Sequence, residues 1–443
     1  MEISSPKPAA AIVGKAVGIP VGPAIATGMA SAVARPPQAA IRRLARAVGP
    51  AWIVMLADVD AASILTAAKA GTDFGYAMLL PLVLLIPVLY FIQEMTVRLA
   101  VGTQLGHAEL IREHYGFRWA GVAVGTMVLI DLLAYVAEFA GIVLGASLVG
   151  VPAVVAVGGA LAFHSVMVLT RSYRRFERIT IALSLALFAF VALAILAHPL
   201  PGAILGGLSP AQPFGRPGYL QLVVATIGAV VMPWMLFYQQ AATVNKGLDR
   251  ADLGAARVET LMGAVASELL MGAIVIAAAA AAASSTGGLV VSSGGLALPA
   301  GLAILASGWA RVLIAVGMVG AGLLAAVVIS LSSAWAWAEL FRWPHSLNLS
   351  LRAAPAFYLV YILEVIPAAV VALVAQNLVS IVIDAMILNV VVLVIPLAFL
   401  VRLSSDRGLL GPLANSPRRA LALWAMTAVL LGFGLLGLIE MAG

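Results

Sequence analysis

The chain has 443 residues, 63% of them hydrophobic and only 10% charged, with a mean hydropathy of +1.10. Soluble domains run roughly 45–50% apolar and about 25% charged, so a water-soluble enzyme, a disordered chain, a collagen and a secreted disulfide scaffold are all excluded. There is no cysteine, which removes thiolate metal sites, disulfides and cysteine redox couples. The net charge is +6. The basic residues sit between apolar runs, a pattern of cytoplasmic membrane loops rather than of nucleic-acid binding.

In chain order, residues 1–45 are rich in Ala, Gly and Pro. They are too broken to span a membrane and lack a signal-peptide layout, so a mobile cytoplasmic tail is expected. A membrane helix needs roughly 20 mostly apolar residues. Eleven segments qualify, at 51–68, 78–102, 119–149, 152–170, 179–198, 219–241, 256–283, 302–338, 354–375, 378–402 and 418–440. The uncharged, Gly/Ser-rich stretch 284–301 reads as an external loop. The expected fold is therefore an all-α membrane protein with eleven transmembrane helices.

Orientation follows from Lys and Arg. With the N-terminus inside, the cytoplasmic segments hold Arg42, Arg43, Arg46, Arg112, Arg118, Arg171, Arg174, Arg175, Arg178, Lys246, Arg250, Arg257, Arg342, Arg352, Arg402, Arg407, Arg418 and Arg419. The opposite side holds little beyond Lys69, Arg216 and Arg311. This bias places the N-terminus in the cytoplasm and, with an odd helix count, the C-terminus outside a bacterial-type inner membrane. The arginine-rich loop at 171–175 is a topology determinant.

Ionisable residues inside membrane segments are costly and are functional candidates. In the first segment, Asp58 and Asp60 are two apart, so on an intact helix they diverge by about 200°. They face one ion only if the backbone leaves the helix. Ser63 shares a face with Asp60. Asp60 and Ser63 together offer hard oxygen ligands suited to Mg²⁺, Ca²⁺ or Mn²⁺. The alternative is an aspartate that lines a wet cavity or pairs with Lys69 or an arginine. In the sixth segment Pro233 interrupts an apolar span. Proline removes a backbone donor, and the carbonyls freed near Ala229 and Val230 need a partner, which a cation can be. Met232 adds a polarisable sulfur beside the break. Interrupted helices at matching places in two halves point to a transporter's central site.

These residues carry a resemblance. The sequence resembles the NRAMP family of divalent-metal transporters. That family's first helix holds an Asp-Pro-Gly-Asn motif, where this chain has Asp60-Ala61-Ala62-Ser63 between Gly49-Pro50 and Gly75-Tyr76. Its sixth helix holds Gly-Ala-x-x-Met-Pro-His, where this chain reads Gly228-Ala229-Val230-Val231-Met232-Pro233-Trp234. Its third-helix Glu-x-x-Gly matches Glu138-Phe139-Ala140-Gly141. The resemblance spans the first ten segments. It implies a LeuT-like five-plus-five inverted repeat with helices one and six broken: residues 46–200 form the first repeat, 201–403 the second, and 404–443 a peripheral eleventh helix. It also implies metal ligation by Asp60, Ser63, the Ala229 carbonyl and Met232, with Asn389 facing the site in a register one residue off.

The departures refine that expectation. Ala61-Ala62 replaces Pro-Gly, so local chemistry does not force the break in helix one. Ser63 replaces Asn with a shorter reach, and Asp58 is an added carboxylate. Trp234 replaces a histidine, and Tyr135 an aspartate, that lie on the family's proton route. Trp does not titrate. Glu138 and Asp131 remain as a residual proton path, although the loss of its relay partners favours a structural bond for Glu138. Trp234 either packs on helix one or faces the cation. The pattern is most similar to the divergent NRAMP-related magnesium transporters, which implies uncoupled passage of Mg²⁺ and Mn²⁺ by alternating access. Mg²⁺ dehydrates reluctantly and binds through few carboxylates; the Met232 thioether favours softer metals. The alternatives are a proton-coupled Mn²⁺/Fe²⁺ symporter and an amino-acid carrier of the same fold, whose substrate carboxylate Asp58 and Asp60 would repel. No enzyme motif is present, no cofactor and no nucleic acid are expected, and the partners are divalent cations and the lipid bilayer. A monomer is compatible with this reading.

Overall fold

The computed structural model describes residues 47–284, 292–293, 296–374 and 378–442. The tail expected at 1–45, with Arg42, Arg43 and Arg46, lies outside these residues, as does much of the loop expected at 284–301. The regular structure of the described chain is helical apart from a two-residue ladder, β1 (Ser292–Ser293) against β2 (Leu296–Ala297).

The first apolar segment gives two helices, α1 (Pro50–Ala57) and α2 (Ala61–Phe74). There follow α3 (Leu79–Thr103), the short α4 (His107–Tyr115), α5 (Phe117–Leu148), α6 (Ala153–Leu169), and α7 (Tyr173–Ser184) continued by α8 (Ala189–Leu196). After the short α9 (Pro201–Gly207), the sixth segment again gives two helices, α10 (Tyr219–Val230) and α11 (Pro233–Lys246). The remainder comprises α12 (Leu253–Ser284), α13 (Ala300–Leu305), α14 (Gly308–Phe341), α15 (Pro355–Leu363), α16 (Val365–Val374), α17 (Leu378–Ser405), α18 (Arg407–Leu410) and α19 (Pro417–Ala442).

Among the described residues, nine helices are long and apolar enough to cross a membrane. The difference from eleven is one of continuity and length. Ala61–Thr103 runs nearly continuously through two expected segments, and Ala153–Leu169 is a shorter apolar helix. The outward faces carry exposed Leu84, Leu129, Val154 and Ile195, side chains that lipid solvates as well as protein does. The core runs between α5 and α14, which pack along each other, while α12 lies against both α1 and α2.

The two breaks have different causes. Pro233 has no N–H to continue α10 into α11, so Val231 and Met232 turn to extended backbone. The first helix breaks although Ala61-Ala62 could have stayed helical. Asp60 adopts extended backbone (φ −86°, ψ −178°) and caps α2, its Oδ1 accepting from the Ser63 amide at 2.7 Å. The Ala61 amide donates to Glu138 Oε2 at 3.1 Å. Two carboxylates thus satisfy amides that a continuous helix would have used, and side-chain acceptors replace the expected Pro-Gly.

Candidate metal centre

The two breaks meet. The Ser63 hydroxyl donates to the Ala229 carbonyl at 2.8 Å, the carbonyl left without a helical donor because residue 233 is proline. The hydroxyl oxygen keeps its lone pairs for a further partner. Asp60 is fully buried, and its Oδ2 has no hydrogen-bond donor. The alternative pairing with Lys69 does not occur: Lys69 bonds Asp73 at 2.7 Å, one turn further along α2. Buried polar groups are normally satisfied, so an unpartnered carboxylate oxygen beside a serine hydroxyl and a helix-end carbonyl is a fitting cation position.

Asn389 of α17 closes the second break. Its Nδ2 donates to the carbonyls of Gly228 (2.6 Å) and Val231 (3.1 Å), while its Oδ1 is buried with no donor. Two carbonyl acceptors fix which end of the amide is nitrogen. Met232 Sδ accepts the Trp234 indole N–H at 3.1 Å, and the Trp234 carbonyl accepts from Ser332 at 2.8 Å. The indole therefore binds the thioether rather than lying free.

Close helix approach explains two motif glycines. A Cβ on Gly141 would overlap the Cβ of Ala61, and one on Gly228 would overlap the Met386 carbonyl. Glycine at these points lets α5 reach the first break and α17 reach the second.

The other candidates divide. Glu138 sits at the first break, and its carboxyl lies within hydrogen-bonding reach of Asp60. Asp60 Oδ2 and Glu138 Oε1 are both buried without a donor. Asp131, seven residues from Glu138, belongs to a separate polar cluster. It accepts from Ser333 at 2.8 Å, near Tyr135, which donates to Glu364 at 3.3 Å and accepts from Ser330 at 3.0 Å. Asp58 ends α1 with Oδ1 unpartnered, and Asp60 and Glu268 are the charged groups that act on it. Among the described residues no group of three or more His, Cys, Asp or Glu is placed to hold a metal. A cation here must rest on one or two carboxylates and neutral oxygens.

The site is enclosed. Asp60, Ser63, Trp234 and Asn389 are all inaccessible to solvent. A cavity of about 570 Å³ at the Phe74 end of α2, lined by Lys69, Asp73, Gln221, Ser380 and Asp384, does not include them. At the other end, Glu259 of α12 caps α1 by accepting from the amides of Gly49 (2.6 Å) and Trp52 (2.9 Å). Lys246 ties the same end through the Val48 carbonyl and Glu177. The sequence did not mark Glu259 as functional; its position 207 residues from Trp52 leaves no local signal.

Long apolar helices packed around two broken ones, whose interruptions meet at a buried carboxylate, define an integral membrane protein of the LeuT-like fold. A family model described as natural resistance-associated macrophage protein-like (Nramp) matches residues 51–440. The chain belongs to the Nramp family. The divalent metal cation transporter MntH of Bradyrhizobium diazoefficiens is 26% identical over 413 residues, 88% of each chain. The MntH of Xylella fastidiosa (strain Temecula1) is 31% identical over 235 residues, and the chain spans about half of that relative, 49% of its length. The Eremococcus coleocola manganese transporter, solved with an aromatic bis-isothiourea compound, superposes with a TM-score of 0.74 at 19% identity, covering 91% of this chain and 88% of that one. MhsT in complex with L-phenylalanine gives 0.57 at 15% identity, covering 89% and 98%. At those identities the two structures bear on fold alone.

Proposed function

We propose that this chain moves a hard divalent cation, Mn²⁺ and Mg²⁺, across the membrane by alternating access. The observation that carries this reading is the unpartnered Asp60 Oδ2 beside Ser63 and the Ala229 carbonyl, with the Met232 sulfur engaged by Trp234. The donors left over are oxygens: Asp60, Ser63, the Ala229 carbonyl and Asn389. Oxygen donors suit Mg²⁺ and Mn²⁺, and a site with so few carboxylates leaves waters on the ion. The cation is cargo, not a cofactor, and no step requires an enzyme. The relatives named as divalent metal cation transporters support the cargo class.

In this reading 46–200 and 201–403 are the two repeats, the Lys/Arg bias puts the N-terminus in the cytoplasm and the C-terminus outside, and eleven crossings result. The potential alone drives uptake, at roughly 2.3 kcal/mol per charge per 100 mV and about twice that for a divalent ion. Trp234 and Tyr135 stand where the resemblance puts titrating groups, which favours passage without a coupled proton. A second reading, proton-coupled Mn²⁺/Fe²⁺ symport, is favoured by the Asp60–Glu138 contact, because a proton shared there would leave when the metal arrives. An amino-acid carrier is disfavoured by two buried aspartates facing a substrate carboxylate.

The test is uptake into proteoliposomes carrying Mg²⁺- and pH-sensitive dyes, wild type against Asp60→Ala. Mg²⁺ entry without acidification, abolished by the substitution, is the expected result. Mn²⁺ entry with matched acidification and no Mg²⁺ signal would sink the uncoupled reading in favour of symport.

A further inference from the structure

The densest charge cluster in the described chain lies away from the helix breaks. Glu94 of α3, almost fully buried, is held by three arginines. Arg98 meets it at 3.2 Å, Arg257 of α12 at 2.7 Å, and Arg419 at the start of α19 also pairs with it. Arg98 is spent elsewhere too, donating to the Leu413 carbonyl (2.7 Å) and to Asn415 (2.8 Å). Glu94, Arg257 and Arg419 all act electrostatically on Arg98. Among these ion pairs one carboxylate serves three guanidiniums, an excess of positive charge within the cluster.

Unbalanced charge beside apolar surface is costly and calls for an anion. Arg98 is buried, but the side chains of Arg257 and Arg419 are 38% and 32% exposed, so their guanidiniums can be reached. Arg419 Nε is itself buried without an acceptor. What they open onto is not an aqueous cleft. Arg419 lies over the half-exposed Phe91 ring at 5.8 Å, and Val258 and Leu261 beside Arg257 are exposed apolar residues.

A second observation lies further along the same surface. An apolar groove of about 420 Å³ opens between α3 and α19 over α10, lined by Leu84 and Val88, by Val429 and Phe433, and by Val223 and Ile227. The two helices run antiparallel past it. Its α3 lining, Leu80–Val88, is 6–14 residues from Glu94 and its α19 lining, Val429–Phe433, 10–14 residues from Arg419, which at 1.5 Å per residue places the groove about 9–21 Å from the arginines. An acyl chain hanging from a phosphate reaches that far, its lower half in the groove.

We propose that this chain binds an anionic phospholipid, its phosphate on Arg257 and Arg419 and one acyl chain in the groove between α3 and α19. Guanidinium forks suit phosphate oxygens in a bidentate geometry. The lipid supplies the missing negative charge and fills a groove that neither helix closes.

The experiment uses the purified full chain in detergent, incubated with phosphatidylglycerol or with phosphatidylcholine of the same acyl chains, and counts retained lipid by native mass spectrometry. Wild type is expected to retain phosphatidylglycerol at least fivefold over phosphatidylcholine. Arg257→Gln should lose that preference while its lipid-free melting temperature stays within a few degrees, since Glu94 keeps two arginines. Arg257→Lys should restore it in part. Val429→Trp, which fills the groove and touches no charge, should also lower retention. Equal retention of the two lipids, or full retention by Arg257→Gln, overturns the proposal. So does a melting shift produced by millimolar inorganic phosphate as fully as by the lipid, which would make this a free-phosphate site. Unchanged retention in Val429→Trp overturns the acyl-chain placement.

Discussion

The Ser63 hydroxyl donates to the Ala229 carbonyl at 2.8 Å, so the break of the first helix is bonded to the break of the sixth. The bond joins a residue that resembles a shortened ligand to a carbonyl that Pro233 frees. Ser63→Ala removes one oxygen and leaves Ala229 without its donor. A lost hydrogen bond at a buried group costs about 1–3 kcal/mol, so the apparent affinity for Mn²⁺ should weaken by roughly tenfold or more. Ser63→Asn restores an oxygen of longer reach and should recover much of it. Initial uptake rates against Mn²⁺ concentration check both; a Ser63→Ala protein with wild-type half-saturation would remove Ser63 from the site.

In the proposed function, the hydrogen bond from Trp234 to Met232 is what keeps the site hard. While the indole N–H occupies the sulfur, the thioether is a poor metal ligand. Trp234→Phe keeps an aromatic ring, though a smaller one, and deletes the N–H. The freed sulfur favours soft cations, so Cd²⁺ should gain at least fivefold in competition against Mn²⁺ uptake, with Mg²⁺ entry little changed. No gain for Cd²⁺ means that the sulfur does not reach the cation.

How far the sequence could be read follows from where each interaction originates. The break at Pro233 is local chemistry, and it was legible. The break at Asp60 came from the resemblance alone, because alanines are strong helix formers and the acceptor for the Ala61 amide comes from Glu138, 77 residues away. Asn389 was placed near the site with its register one residue off; the structure shows it bonded to both carbonyls that flank the second break. The cluster on Glu94 joins positions 163 and 325 residues apart in sequence, and no spacing rule could have found it. Periodicity and proline report on a helix; polar partners contributed by distant helices are invisible to both.

Glu259 holds the start of α1 closed. Its Oε1 takes the amides of Gly49 and Trp52, which would otherwise be orphan donors of a helix N-terminus, and its charge suits that end of the dipole. Glu259→Ala should loosen α1. The chain has no cysteine, so Ala51→Cys gives a sole thiol at a buried position of α1. Its maleimide labelling in proteoliposomes should be at least fivefold faster with Glu259→Ala than without, and Glu259→Gln, which keeps an acceptor but no charge, should fall between. Equal labelling in all three would mean that α1 is held elsewhere.

His107 gives the fold a pH limit from outside the spanning helices. It begins α4, buried, with Nδ1 at 3.2 Å from Gln240 Oε1 and Nε2 at 3.3 Å from the Pro396 carbonyl. Burial lowers its pKa to about 4 against an ordinary 6.5, overcoming the two acceptors, which favour the charged ring. The unfolded chain therefore takes up a proton before the folded one does. Stability from the neutral ring is fully present above about pH 6.5 and is lost as the pH falls toward about 4, a total of up to about 3 kcal/mol at 1.36 kcal/mol per pKa unit. In detergent, the melting temperature should drop between pH 6.5 and 4.5. His107→Gln, which cannot take up that proton, should start lower at pH 7.5 and fall less over the same interval. Parallel curves for the two proteins would assign the acid sensitivity to other groups.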